Sequence, residues 1–133
     1  MSDAEEALAF QLKAVNVPFE REVEFAKPER KFRADFVLRH IPHKAVPDFP
    51  TLLSRAINPC LGCVKPLIVE VEGGTYTQGR HTQGPAFEAD CVKQAEALTR
   101  GYRYLRVTPH MIEDGRALSY IERLLGLASG NER

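Results

Sequence analysis

An α/β fold, with a mixed central sheet flanked by helices, is what this 133-residue chain predicts. Three observations carry that prediction. Hydrophobic periodicity switches from helical to alternating and back, giving the element order αβββαβα. A short apolar run, Leu67-Ile68-Val69, leads into Glu70-Val71-Glu72 and stops at Gly73-Gly74, as a buried strand does. With 44% hydrophobic content the chain can build one packed core and has no room for a second.

The elements follow in order. Ser2 and Glu5 stand at capping-box spacing, and Ala4, Leu8, Leu12 and Val15 form one apolar helix face that Asn16 and Pro18 end. Phe19, Arg21, Val23 and Phe25 then alternate with Glu20, Glu22 and Glu24, the pattern of a strand with one face in water. After the Ala26-Lys27-Pro28 turn, a strand from Phe32 to Arg39 sets Phe32, Ala34, Phe36 and Leu38 on one face. Arg33, Asp35 and Val37 take the other. Residues 40 to 66 contain Pro42, Pro47, Pro50, Pro59 and Pro66, leaving room only for a short helix near Thr51 to Ile57.

The third strand, Leu67 to Glu72, is followed by a polar, glycine-rich loop from Thr75 to Pro85. A helix from Ala86 to Arg100 is closed by Gly101 at the position after its cap. Tyr102 to Val107 reads as the fourth strand, and Thr108-Pro109 as a capping residue with proline at the first helical position of a short turn. The last helix, Arg116 to Leu125, carries Ala117, Leu118, Ile121, Leu124 and Leu125. One domain is therefore expected over residues 1 to 126, with an insert at 40 to 66 and a loose tail at 127 to 133.

Composition narrows the classes. The chain lacks the run of about 18 apolar residues that a membrane span needs. Its N-terminus, Met1-Ser2-Asp3-Ala4-Glu5-Glu6, is acidic where a secretory signal is basic. Cys60, Cys63 and Cys91 do not make a disulfide framework, so a reducing cytoplasm is the expected location. Cys91, inside a helix, is expected to be a small buried residue. Net charge is zero and argues for no particular partner. Two stretches are locally basic: Lys27, Arg30, Lys31, Arg33 and Arg39 against Glu29 and Asp35, and Lys93, Arg100, Arg103 and Arg106 against Glu96. Solvated faces of ordinary elements explain such stretches equally.

The acidic strand end carries the chemistry. Alternate residues of a strand share a face, so Glu70 and Glu72 project together with Cα atoms about 6–7 Å apart. Two like charges beside an apolar sheet are costly unless a cation lies between them. Oxygen-only ligands favour Mg²⁺ or Mn²⁺.

Together with Arg33-Ala34-Asp35-Phe36 on the preceding strand, this pattern resembles the PD-(D/E)XK nuclease superfamily, with its restriction-endonuclease-like αβββαβ core. Within it, the chain is most similar to a small phage and bacterial branch related to very-short-patch-repair and Holliday-junction-type nucleases. The resemblance implies a Mg²⁺-dependent endodeoxyribonuclease whose Asp35, Glu70 and Glu72 ligate the ion. Neighbouring strands about 4.8 Å apart can bring three such acids to one or two ions. Otherwise Asp35 pairs with Arg33 or Arg39, and the glutamates are solvated.

Glu72 stands where the family motif has a lysine; Lys93, on the following helix, can supply the displaced ammonium or be a surface lysine. His81, in Arg80-His81-Thr82, lies where related repair nucleases carry a functional histidine, as acid, base or phosphate contact. A loop histidine in water is the plain alternative. Pro47-Asp48 spells the family dipeptide, but the flanking Pro47 and Pro50 keep Asp48 out of a paired strand, so Asp35 is preferred.

Members of the fold also direct a first-helix glutamate at the metal. With Ala4 at zero, Leu8, Leu12 and Val15 fall at about 40°, 80° and 20°, Glu5 at about 100° and Glu6 near 200°. Glu5 is thus the candidate, and Gln11, at about 340°, lies on the buried face too. In the insert, His40, His43, Cys60 and Cys63 make a possible tetrahedral zinc set, with unligated side chains as the alternative. The expected partner is DNA, branched or mismatched, with no membrane, and cutting both strands calls for a homodimer or two nicks. A nucleic-acid- or protein-binding module without cleavage is the rival reading.

Overall fold

A computed structural model describes residues 2–39, 65–73 and 84–127. Helix α1 (Asp3–Ala14) starts as the capping spacing requires: the Ser2 hydroxyl accepts from the Glu5 amide at 3.1 Å. Asp3, Glu5 and Glu6 occupy its first turn, where the positive end of the helix dipole favours them. Leu8 and Leu12 are fully buried, whereas Val15, expected on the same face, is exposed. The reason is local: Val15 is already the C-cap and Asn16 turns left-handed at φ 60°, so the buried residue after the turn is Val17.

Strands β1 (Glu20–Glu24), β2 (Arg33–Leu38), β3 (Leu67–Val71) and β4 (Arg103–Val107) form one open, mixed sheet in the order β1-β2-β3-β4. β1/β2 and β2/β3 are antiparallel, and β3/β4 is parallel. Parallel neighbours need a crossover, and helix α2 (Pro85–Thr99) supplies it. Gly101 follows its cap at φ 91°, the left-handed turn that glycine adopts freely. After β4, Thr108 caps the short helix α3 (Pro109–Glu113) by accepting from the Met111 amide, and helix α4 (Arg116–Leu124) follows.

Side chains alternate across the sheet, so each face has its own core. Phe36, Leu38, Leu67, Val69 and Val107 face α1, α3 and α4, meeting Leu8, Leu12, Ile112, Ala117 and Ile121. Val37 and Ile68 face the other way, onto Ala97 of α2 and the Phe25-Ala26 turn. Ala97 is the buried residue of α2. Cys91, expected to be buried, is exposed, because it lies about 120° around the helix from Ala97. Gln11, expected on the buried face, is part-buried. Its Nε2 donates to the Ile112 carbonyl at 3.0 Å, tying α1 to α3.

The expected helix near Thr51 to Ile57, Asp48, and the tail beyond residue 127 lie outside the described residues. Among the described residues, no helix is long and apolar enough to cross a membrane.

Candidate functional site

The register of β2 on β3 runs Leu38↔Leu67, Val37↔Ile68, Phe36↔Val69. The next pair is Asp35 and Glu70, and here side chains take over from the ladder. The Val71 amide donates to Asp35 Oδ2 at 2.8 Å, and the Asp35 amide donates to Glu70 Oε2 at 3.1 Å. Each carboxylate thus satisfies a backbone donor of the other strand, which fixes both acids where the apolar pairing ends. Lys93 reaches in from the crossover helix, its Nζ donating to Glu70 Oε1 at 2.8 Å. Glu70 is buried, 8% exposed.

A second group shares Asp35. Oxygens of Glu5, Glu22 and Asp35 lie within 4.8 Å of one another. Glu5 comes from the first turn of α1, the helix position singled out from the sequence. Glu22 comes from β1, where it takes a left-handed φ of 55° inside a strand. A non-glycine residue held there costs on the order of 1–3 kcal/mol.

Glu72 is placed differently. Arg106 of β4 grips it with two hydrogen bonds, Nε to Oε2 and Nη2 to Oε1, each 3.0 Å. The argument that Glu70 and Glu72 must share a cation therefore meets a different solution: Lys93 and Arg106 give each glutamate its own. Neither partner is adjacent in sequence, because α2 and the parallel β3/β4 register deliver them. Among the described residues, Asp35 is the acid of the group without a cationic side chain at ion-pair distance: Glu5 has Arg21, Glu22 has Arg33, Glu70 has Lys93 and Glu72 has Arg106.

The electrostatics follow from burial. Asp35 is pushed above the usual aspartate range by desolvation, which the Val71 amide and the Lys93 charge only partly offset. Glu70 is raised by desolvation, against the hydrogen bond and charge of Lys93. Glu5 is raised by desolvation and then by the charges of Asp35 and Glu22. All three carboxylates are held in a setting that disfavours their charge.

The two basic stretches are largely neutralised within the fold. Lys27 pairs with Glu24, Arg30 with Glu96, Arg33 with Glu22 and Arg39 with Glu20. Arg100 pairs with Glu96 and Glu29, while Arg103 donates to the carbonyls of Lys65 and Leu124.

Sequence reasoning passed over two residues here. Arg21 had a legible signal, a charge at an apolar position of the Phe19-Arg21-Val23 alternation. Glu22 had none, since nothing in a glutamate announces a left-handed backbone. His81 and the four candidate zinc ligands, His40, His43, Cys60 and Cys63, lie outside the described residues. Comparison of the chain with protein-family models, with curated proteins and with solved structures gives no match.

Proposed function

We propose that the chain is a metal-dependent DNA endonuclease of the PD-(D/E)XK type, hydrolysing phosphodiester bonds on a restriction-endonuclease-like core. The observation that carries this reading is Asp35, Glu70 and Lys93 meeting on β2, β3 and the crossover helix. The donor set suits a hard divalent cation: Asp35 has Oδ1 outside its backbone bond, Glu70 lies opposite, and Glu5 reaches Asp35 from α1. Three carboxyls raised by burial gain from a cation in a way that solvated acids do not. Glu72, engaged by Arg106, stands outside the ligand set in this reading.

Bound there, Mg²⁺ or Mn²⁺ supplies Lewis acidity and a more acidic water. The protein's own residues do the rest. Asp35 and Glu70 are pre-positioned by each other's strand, so no side-chain ordering remains to be done at the moment of binding. Lys93 has three N–H donors; with one on Glu70, the others can hold a phosphate oxygen or the attacking water. This is the role the family motif gives to the residue Glu72 replaces. The exposed pairs of Arg33 and Arg39 are individually weak, so these guanidiniums can exchange onto DNA phosphates without large cost.

Plasmid, linear and branched DNA with Mg²⁺ or Mn²⁺ test the proposal. The wild type should cut at least one of them and Asp35→Asn none. Protein free of contaminating nuclease that cuts none, or an Asp35→Asn variant that cuts equally well, removes the catalytic reading. One observation favours a second reading, a nucleic-acid-binding module that does not cut: Glu70 and Glu72 are already neutralised by Lys93 and Arg106. DNA affinity that survives EDTA with no cleavage under any metal would select it.

A further inference from the structure

Arg21 occupies a place in β1 where the alternation calls for an apolar side chain. Its guanidinium lies over the Phe36 ring, 5.1 Å from the centroid, and Nη1 donates to Glu6 Oε2 at 3.2 Å. Nη2 is 3.7 Å from Glu5 Oε1, within ion-pair range but too far for a hydrogen bond. Both Nε and Nη2 are buried without an acceptor. Buried donors left in that condition are costly, and a guanidinium cannot shed its charge to escape the cost. A small movement of Glu5 would satisfy Nη2. Yet the same carboxylate lies within 4.8 Å of oxygens of Glu22 and Asp35. Glu5 thus stands between a guanidinium short of acceptors and Asp35, the acid of the group without a cationic partner among the described residues.

We propose that Arg21 competes with the divalent cation for Glu5 and so sets the affinity of the site. The inference rests on the cation reading of Asp35. Without the ion, Arg21 balances the charge of Glu5. With the ion, Glu5 turns to Asp35, and Arg21 falls back on Glu6 and the Phe36 ring. Glu6 matters because it holds the guanidinium through Nη1 at 3.2 Å while Nη2 stays 3.7 Å from Glu5. Two positive charges acting on one half-buried carboxylate oppose each other, since screening there is weaker than in bulk water. Arg21 therefore acts through Glu5 and needs no contact with substrate.

Calorimetric titration of the full chain with Mn²⁺ tests this through two variants with opposite expected signs. Arg21→Met should tighten Mn²⁺ binding by about tenfold. Glu6→Gln, which frees Arg21 to close on Glu5, should weaken it. Asp3→Asn, another first-turn acid, measures what the loss of one nearby negative charge does by itself. Binding that is unchanged or weaker in Arg21→Met overturns the proposal. Should that variant not fold, Glu6→Gln against Asp3→Asn decides: weaker binding in Glu6→Gln supports the competition, and equal binding overturns it. A wild type that binds no Mn²⁺ overturns the cation reading as well. Binding abolished by Asp35→Asn but indifferent to Arg21 and Glu6 overturns this inference alone.

Discussion

The two ends of the β2–β3 pair are built on opposite principles. At one end Leu38 faces Leu67 and Val37 faces Ile68, all buried, joined by backbone hydrogen bonds. At the other end Asp35 faces Glu70, and their carboxylates bond the backbone of the opposite strand. The apolar end gains from excluding water. The acidic end loses by it, because burial raises both carboxyls, and the amides of Val71 and Asp35 and the charge of Lys93 offset only part of the cost. One end holds the fold, and the other is held by it. A site placed at the end of a rigid ladder inherits its precision from that ladder.

The comparison breaks most visibly under substitution at the apolar end. Leu67→Ala should cost about 2–5 kcal/mol in denaturant-induced unfolding, because Leu67 is fully buried in the core cluster on this face of the sheet. A loss under about 1 kcal/mol would mean that this end is not the anchor. Lys93→Met comes next. Removing one partner of a buried pair costs about 3–5 kcal/mol, and the solvent still reaching Lys93 places the expectation nearer 2 kcal/mol. Cleavage should fall further than DNA affinity does. A uniform loss of affinity, with cleavage recovered at saturating enzyme, would reduce Lys93 to a phosphate contact.

The smallest effect sharpens the contrast through pH. Glu70 binds its proton more tightly folded than unfolded, so between the unfolded value near 4.5 and the raised folded value the native state carries more protons. Stability contributed by protonated Glu70 is present below that window and lost as pH rises through it. Thermal melts without divalent ions should therefore show Glu70→Gln gaining on the wild type as pH rises from about 4 to 7. A variant that instead loses ground with rising pH would show that the Lys93 pairing outweighs desolvation.

How much of this was legible in the sequence depended on range. The helix caps at Ser2 and Thr108, the turn at Gly101 and the four strands are short-range signals, and each is in place within a residue or two. Asp35 and Glu70 were legible as acids on two strands that the family resemblance sets side by side. Their reciprocal bonds to the backbone were not, since they depend on register. Glu72 was read as the partner of Glu70 because strand alternation puts them together, but Arg106 arrives through the parallel pairing of β4, 34 residues away. Val15 was misplaced because it follows the helical period but already ends the helix, and Cys91 because residue type was read without its place on the outer side of the helix.

The central claim is that the acidic end of the ladder is a cation site centred on Asp35. Mn²⁺ titrated against the wild type and Asp35→Asn, with the fold of each checked by circular dichroism, tests it most directly. The wild type should bind and gain thermal stability, more at neutral than at acid pH, and Asp35→Asn should lose both effects while staying folded. Equal binding and equal stabilisation in the two proteins would contradict the claim.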